Sequence, residues 1–177
     1  MKKLFLILCF CFLFAFSGKA QNNTSLPQQY QKMMEKVLTK VPSVNTPVTS
    51  LIDFATSLIG TRYRYASSNP DIGFDCSGFV SYVYKHFGFN GARSSADFAR
   101  KGKAVKLAEA KVGDILVFTG SNSKIRKPGH VGIIYSRDEE GNIKFIHSSS
   151  GKAKGVTITE MDAAYKRRFL KAVTVVE

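Results

Sequence analysis

The sequence predicts an α+β fold in which N-terminal helices pack on a central antiparallel sheet of about five strands. In the first hundred residues, apolar side chains recur at helical spacing. From Gly113 onward, short apolar runs bounded by turn residues indicate strands. Helices followed by strands, rather than the two alternating, favour the α+β class. With 177 residues and 44% hydrophobic content, the chain is long enough for one domain with a buried core.

Residues 1–20 have the features of a secretory signal peptide. Lys2 and Lys3 precede an apolar run from Leu4 to Phe16, and the segment ending at Ala20 resembles a cleavage site made of small residues. The apolar run is too short to span a bilayer comfortably. We therefore expect an exported protein, periplasmic or extracellular, with no stable membrane anchor after cleavage.

Residues 21–49 are predicted to form an N-terminal helix and a connector. Ser25 and Gln28 have the spacing of a capping box, and apolar residues then recur at helical spacing as far as Val41. Pro42 and Pro47 lie among Ser, Asn and Thr, which is typical of a connector. This segment is too small to be a domain, so we expect residues 50–177 to form the only one.

Three longer helices, one short helix and five strands are expected within residues 50–177. The helices run from about Ser50 to Gly60, from Cys76 to Gly88 and from Arg93 to Arg100, with a loop over Ser67–Gly73. A further short helix near Met161–Lys166 separates the last two strands. The strands are expected at Asp114–Phe118, His130–Tyr135, Ile143–His147, Val156–Thr159 and Phe169–Val175.

Cys76 is the only cysteine outside the predicted signal peptide. It opens a helix, where backbone N–H groups and the helix dipole favour a thiolate. An unpaired cysteine in an exported protein is either a reactive thiol or an intermolecular link. An inert buried thiol is the alternative.

Two histidines are expected close together at one end of the sheet. His130 opens one strand and His147 closes the next, so a hairpin of the two strands brings them side by side. His86 lies about 15 Å along the helix from Cys76 and cannot reach the thiol. If the Cys76 helix points at this end of the sheet, the three groups form a nucleophile, a base and an orienting residue. The alternatives are satisfied or solvated imidazoles and a zinc site. No fourth zinc ligand has suitable spacing, so no metal or cofactor is expected.

The composition favours an anionic partner. The formal charge is +13, and it falls to +10 without the three lysines of residues 1–20. Export and the absence of clustered Arg with interleaved aromatic residues argue against nucleic acid. Scattered, solvated lysines that only aid solubility are the alternative.

Several blocks of the chain resemble the NlpC-type cell-wall cysteine peptidases. They occur in that family's order and spacing between about Leu51 and Val175, at Ile59–Tyr65, Asp75–Val80, Arg93–Ser95, Gly113–Phe118, His130–Ile133 and Phe145–His147. The resemblance implies a papain-like α+β fold and hydrolysis of peptidoglycan stem peptides. The bond expected to be cut joins the γ-carboxyl of D-glutamate to the diamino acid.

The resemblance also implies roles for individual residues. Cys76 would be the nucleophile, His130 the general base and His147 the residue that orients it. Residues implied in substrate binding are Tyr63, Asp75, Ser77 and Ser95. Each of the first three has a simpler alternative: Tyr63 as a packed aromatic ring, Asp75 as a helix N-cap, and Ser77 as a side chain facing the helix groove.

The chain departs from the family pattern at two places. Ala66-Ser67 stands where two glycines are common, and Asp97 stands where glutamine is common. Nothing before Ser50 is large enough for the SH3-like domain that many relatives carry. A monomer is expected. The alternative functions are an amidase that cuts between sugar and stem peptide, an acyl transferase, and a non-catalytic wall-binding protein.

Overall fold

The computed structural model describes residues 46–175, together with residues 28 and 32. The chain divides into two units, residues 1–42 and residues 43–177. Gln28 and Lys32, both helical and exposed, are the only described residues of the first unit. The predicted signal peptide and most of the predicted N-terminal helix therefore lie outside the described residues. No helix within the described part of the chain is long and apolar enough to cross a membrane.

The first helix of the second unit, α1, spans Pro47–Ser57 and begins before the predicted start at Ser50. Thr46 is its N-cap, with Oγ1 accepting a hydrogen bond from the Thr49 N–H at 3.2 Å. Pro47 occupies the first helical position, where its missing N–H costs nothing. The connector was therefore predicted too long, because a proline that starts a helix was interpreted as a linker residue.

Two more helices follow a small ribbon. The predicted loop contains two short antiparallel strands, β1 at Ser68–Asn69 and β2 at Gly73–Phe74. Helix α2 spans Cys76–His86 and begins at the predicted residue. Helix α3 spans Ser95–Lys101. A capping box between Ser94 and Asp97 starts it, so the helix forms despite its short length.

The sheet has six antiparallel strands in the described residues, in the order β3-β8-β4-β5-β6-β7. All five predicted strands are present, and β3 at the sheet edge was not predicted. It has only three residues, which is too short for a recognisable alternation. Helix α4, Ala163–Arg168, lies between β7 and β8. The strands are β3 Lys103–Val105, β4 Ile115–Thr119, β5 Pro128–Arg137, β6 Ile143–Ser149, β7 Gly155–Glu160 and β8 Phe169–Thr174.

Both faces of the sheet are covered. Strand β4 is buried along its whole length. Ile115 and Val117 belong to the apolar cluster that contains residues of α1, α2 and α3, whereas Leu116 and Phe118 belong to the opposite cluster, next to Tyr165 of α4. Alternate side chains of a strand point to opposite faces, so this strand lies between two layers.

The start of α2 is held tightly against its neighbours. A Cβ atom on Gly78 would lie 2.0 Å from the Ser67 carbonyl oxygen, so only glycine fits there. The Asp75 N–H donates to the same oxygen at 2.9 Å. The Ser148 hydroxyl of β6 donates to the Phe74 carbonyl at 2.8 Å. These contacts fix the first turn of α2 next to the end of the sheet where β6 terminates.

Candidate active site

The structure places His130 and His147 side by side. They lie on the neighbouring strands β5 and β6, and Nε2 of His130 is 2.8 Å from Nδ1 of His147. Their rings are close to perpendicular, at 85°, with centroids 4.9 Å apart. Within the described residues, Nδ1 of His130 has no hydrogen-bond partner. That nitrogen is therefore available to accept a proton.

Aromatic rings surround the two imidazoles. Phe145 lies 4.6 Å from His147 and Phe118 lies 6.0 Å from His130, measured between ring centroids. Tyr165 of α4 lies within 6.3 Å of both imidazoles. His147 is fully buried. The pair is thus shielded from water on the α4 side of the sheet.

Thr159 makes the second hydrogen bond of His147. Its Oγ1 lies 2.9 Å from Nε2 of His147. Sequence reasoning missed this residue. In the β6–β7 register Thr159 pairs with Phe145, two residues before His147, and no local pattern reveals that register.

Burial keeps both imidazoles uncharged at neutral pH. It lowers the pKa of His130 well below 6.5, and the electrostatic interactions of His130 with His147 and Arg168 act in the same direction. Burial, followed by the charge of Arg168, lowers the pKa of His147 to about 4. Arg168 is held nearby because its guanidinium donates to the carbonyls of Thr119 and Gly120 at 3.0 Å each. An uncharged His130 is the form that can act as a base.

Cys76 is the first residue of α2 and is partly buried. Burial raises the pKa of its thiol, and the Asp75 carboxylate raises it further. Backbone N–H groups of Val131, Ser77 and Cys76 itself lower it, but they do not outweigh burial. The expectation that the helix start favours a thiolate was therefore wrong in its net direction. The Val131 N–H hydrogen-bonds the Cys76 sulfur, and Val131 directly follows His130 in β5. The sulfur therefore lies beside this part of β5.

In this structure the predicted nucleophile is not hydrogen-bonded to the predicted base. Among the described residues, no hydrogen bond joins the Cys76 sulfur to either histidine. Catalytic hydrogen bonds of this kind often tighten only when substrate is bound. The catalytic roles of the three residues therefore stay predictions.

The buried residues Asp75 and Ser77 form a polar cluster with the exposed residue Arg93. The Asp75 carboxylate caps α2 by accepting the Gly78 N–H at 2.6 Å, and it also accepts the Ser77 hydroxyl at 3.0 Å. Arg93 donates to both carboxylate oxygens, at 3.1 and 2.8 Å, and to the Ser77 oxygen at 3.2 Å. Sequence reasoning noted the block that contains Arg93 but gave this side chain no role. Because Arg93 compensates the charge of Asp75, the expected role of Asp75 in substrate binding stays a prediction.

Tyr63 lies within electrostatic reach of the thiol. Burial raises the pKa of its hydroxyl, and the charges of Cys76 and Asp75 raise it further. Its backbone N–H donates to the Lys154 carbonyl at 2.7 Å, which positions it between the β2 and β7 ends of the molecule. The structure therefore places Tyr63 near the predicted nucleophile.

The structure also describes Ser95 and the two places where the sequence departs from the family pattern, Ala66-Ser67 and Asp97. Ser95 is the first residue of α3, directly after the N-cap Ser94. Asp97 is used for the capping box, and hydrogen bonds from Ser94, side chain first, lower its pKa to about 2. Ala66 has φ = 59°, the left-handed conformation that favours glycine. The alanine thus adopts a backbone conformation that suits the glycine common there.

A basic groove of about 870 Å³ lies beside Arg93 rather than over Cys76. The ribbon, helix α2 and the loop before α3 line it, and its charged lining residues are Lys85 and Arg93. His86 is exposed and stacks on Phe54, with centroids 4.1 Å apart. Within the residues that the structure describes, no cluster of three or more His, Cys, Asp or Glu side chains is arranged to hold a metal ion.

Comparison with known families and proteins gives a consistent result. The NlpC/P60 family matches residues 60–175. The probable peptidoglycan endopeptidase LytE of Bacillus subtilis (strain 168) is 36% identical over 126 residues, covering 71% of this chain and 34% of that protein. The murein DD-endopeptidase MepS/murein LD-carboxypeptidase of Escherichia coli (strain K12) is 35% identical over 116 residues, covering 64% and 55%. The γ-D-glutamyl-L-lysine dipeptidyl-peptidase of Bacillus subtilis is 38% identical over 112 residues, covering 62% and 36%.

This chain thus spans between about a third and about half the length of these curated relatives. A crystal structure of an NlpC/P60 family protein from Bacillus cereus is similar in fold, with a TM-score of 0.63 and 26% identity. The similarity covers 72% of this chain and 39% of that one.

Proposed function

The chain belongs to the NlpC/P60 family, and from that membership we propose that it is a cysteine peptidase that hydrolyses peptidoglycan stem peptides. The observation that carries the proposal is the uncharged, hydrogen-bonded pair of His130 and His147 beside the only cysteine of the described residues. The names of the relatives support the substrate, since two of them are endopeptidases of peptidoglycan or murein.

The proposed mechanism depends on which ring nitrogen of His130 is left without a hydrogen bond to His147. His130 takes the Cys76 proton at Nδ1, because its Nε2 is engaged by His147. The sulfur attacks the amide carbon, and the backbone N–H of Cys76 at the helix start stabilises the oxyanion. His130 returns the proton to the leaving amine, which leaves a thioester on Cys76. Water then hydrolyses the thioester, with His130 again as the base, and the thiol is restored.

The bond we propose joins the γ-carboxyl of D-glutamate to the diamino acid. The family resemblance supports it, and so does the relative named as a γ-D-glutamyl-L-lysine dipeptidyl-peptidase. The relative named as a DD-endopeptidase favours a second candidate, a bond between D-residues in a crosslink. Tyr63, Asp75, Ser77 and Ser95 are the residues proposed to hold the stem peptide.

We further propose that the protein is exported and acts as a monomer in the periplasm or outside the cell. The positive and apolar segments of residues 1–20 support export. N-terminal sequencing of the secreted protein should begin at Gln21. A protein that is retained with an intact Met1 in the cytosolic fraction would contradict this proposal.

The decisive experiment for the reaction uses defined muropeptides. Cys76→Ala should abolish cleavage, because no other described residue supplies a thiol, whereas a chelator should have no effect. Circular dichroism should show that the variant is folded. Activity that persists in Cys76→Ala would contradict a cysteine mechanism.

Mass spectrometry of the products separates the remaining functions. New termini at the γ-D-glutamyl–diamino acid bond support the first candidate, and cleavage between D-residues supports the second. A free lactyl group on the sugar would indicate an amidase, and a new amide would indicate an acyl transferase. Sedimentation with peptidoglycan that is unaffected by Cys76→Ala, with no turnover, would indicate a wall-binding protein.

A further inference from the structure

Three groups form a continuous chain of hydrogen bonds behind the predicted nucleophile. His130 Nε2 lies 2.8 Å from His147 Nδ1, and His147 Nε2 lies 2.9 Å from Thr159 Oγ1. His147 is fully buried, so each of its nitrogens depends on its one protein partner. A neutral imidazole has one N–H and one bare nitrogen, so the partner of one nitrogen decides what the other can do.

Only one arrangement of protons leaves His130 able to act as a base. If Thr159 accepts a hydrogen bond from His147 Nε2–H, the bare Nδ1 of His147 accepts the Nε2–H of His130. The Nδ1 of His130 is then bare and can take a proton. If Thr159 instead donates to Nε2 of His147, His147 carries its proton on Nδ1 and donates it to Nε2 of His130. His130 then carries its proton on Nδ1 and cannot accept another.

We propose that Thr159 is a positioning residue whose Oγ1 accepts the Nε2–H of His147, which stabilises the base-competent tautomers of His147 and, through it, of His130. The catalytic part of this inference rests on the proposed function. The tautomer part does not, because it concerns the resting protein. Within the described residues, the hydrogen-bond partner of the Thr159 hydroxyl is His147, so the hydroxyl is expected to act on His130 through His147.

The tautomers can be measured directly. Long-range ¹H–¹⁵N correlation spectra of the full chain should show both His147 and His130 protonated at Nε2 at neutral pH. In Thr159→Val, a β-branched replacement of similar shape without a hydroxyl, the Nδ1–H tautomer of His147 should become populated. A wild-type spectrum with His147 protonated at Nδ1 would overturn the proposal, whether or not the protein cleaves any substrate.

Kinetics on a soluble stem peptide test the consequence for catalysis. Thr159→Val should lower kcat about tenfold with little change in KM, which corresponds to a typical net hydrogen-bond contribution. Thr159→Ser keeps the hydroxyl and should restore most of the rate. A fall confined to KM, or an equal loss in Thr159→Ser, would contradict a role through the hydroxyl.

Thr157 provides the matched control. It lies directly opposite His147 in the sheet register, but its hydroxyl contacts the Ile158 carbonyl instead of the imidazole. Thr157→Val should therefore leave the tautomer and kcat unchanged. If Thr157→Val lowers kcat as much as Thr159→Val does, the effect belongs to strand packing and the proposal fails. An inactive wild-type protein with the expected tautomers would instead contradict the proposed function alone.

Discussion

At the scale of single residues, burial opposes the charged forms of Cys76, the proposed nucleophile, and of His130, the proposed base. Burial raises the pKa of the thiol and lowers the pKa of the imidazole, so it moves both groups away from an ion pair. The Asp75 carboxylate adds to the effect on the thiol. Proton transfer is therefore expected to accompany the attack on substrate rather than to precede it.

Alkylation of Cys76 by iodoacetamide tests this charge state. The rate should rise with pH and have its midpoint above the ordinary thiol value of 9.0, because only the thiolate reacts. The same protein unfolded in denaturant is the control, and its midpoint should be lower. A rate that is already at its plateau below pH 7 would indicate an ion pair instead.

The pH dependence of kcat/KM gives a second, independent measurement. His130 must be neutral to act as the base, and its pKa is depressed below 6.5. Activity should therefore persist as the pH falls through 6.5 and be lost only at lower pH. An acid limb with its midpoint at or above 6.5 would contradict the depressed pKa.

At the scale of elements, the position of α2 depends on its close approach to the segment before it. Gly78 lies against the Ser67 carbonyl, which is a backbone atom and cannot rotate away. The same first turn carries Cys76, and its N-cap Asp75 pairs with Arg93. Fold and site are therefore coupled at this turn.

Gly78→Ala should reduce the free energy of unfolding by about 1–3 kcal/mol, since the new methyl group overpacks a rigid contact. Gly120→Ala is the matched control, because a Cβ atom there meets nothing within 4 Å, and its effect should stay within about 0.5 kcal/mol. Urea titration of both variants gives the comparison. Equal stability of the two variants would show that α2 can shift without cost.

At the scale of the whole molecule, the main feature is positive charge. The chain carries a formal net charge of +13, and the groove beside Arg93 contributes cationic side chains near the site. Anionic wall polymers are attracted to such a surface, and salt weakens the attraction of exposed charges.

Binding to whole peptidoglycan should therefore weaken as salt rises from about 0.05 to 0.5 M, because screening shortens the range of these charges. Turnover of a small soluble stem peptide should change much less, since it engages few of them. Sedimentation and peptide cleavage in the same buffers measure the two effects. Salt-independent sedimentation would show that the charge has no part in wall binding.

The sequence by itself determined the fold class and the predicted catalytic set. Helical and strand periodicity are local, so α2 and the five longer strands were predicted. The hairpin rule brought His130 and His147 together because adjacent antiparallel strands pair in a known way. Cys76 stood out because no other cysteine follows residue 20.

The tertiary structure decided what depends on contacts between distant residues. Arg93 meets Asp75 eighteen positions away, and Thr159 meets His147 twelve positions away, through packing and register that no local pattern encodes. Burial, which depends on the assembled fold, likewise raises the pKa of the Cys76 thiol and so opposes the thiolate that the helix start favours. A helix start is visible in the sequence, but the desolvation that outweighs it arises only when the surrounding elements close over the sulfur.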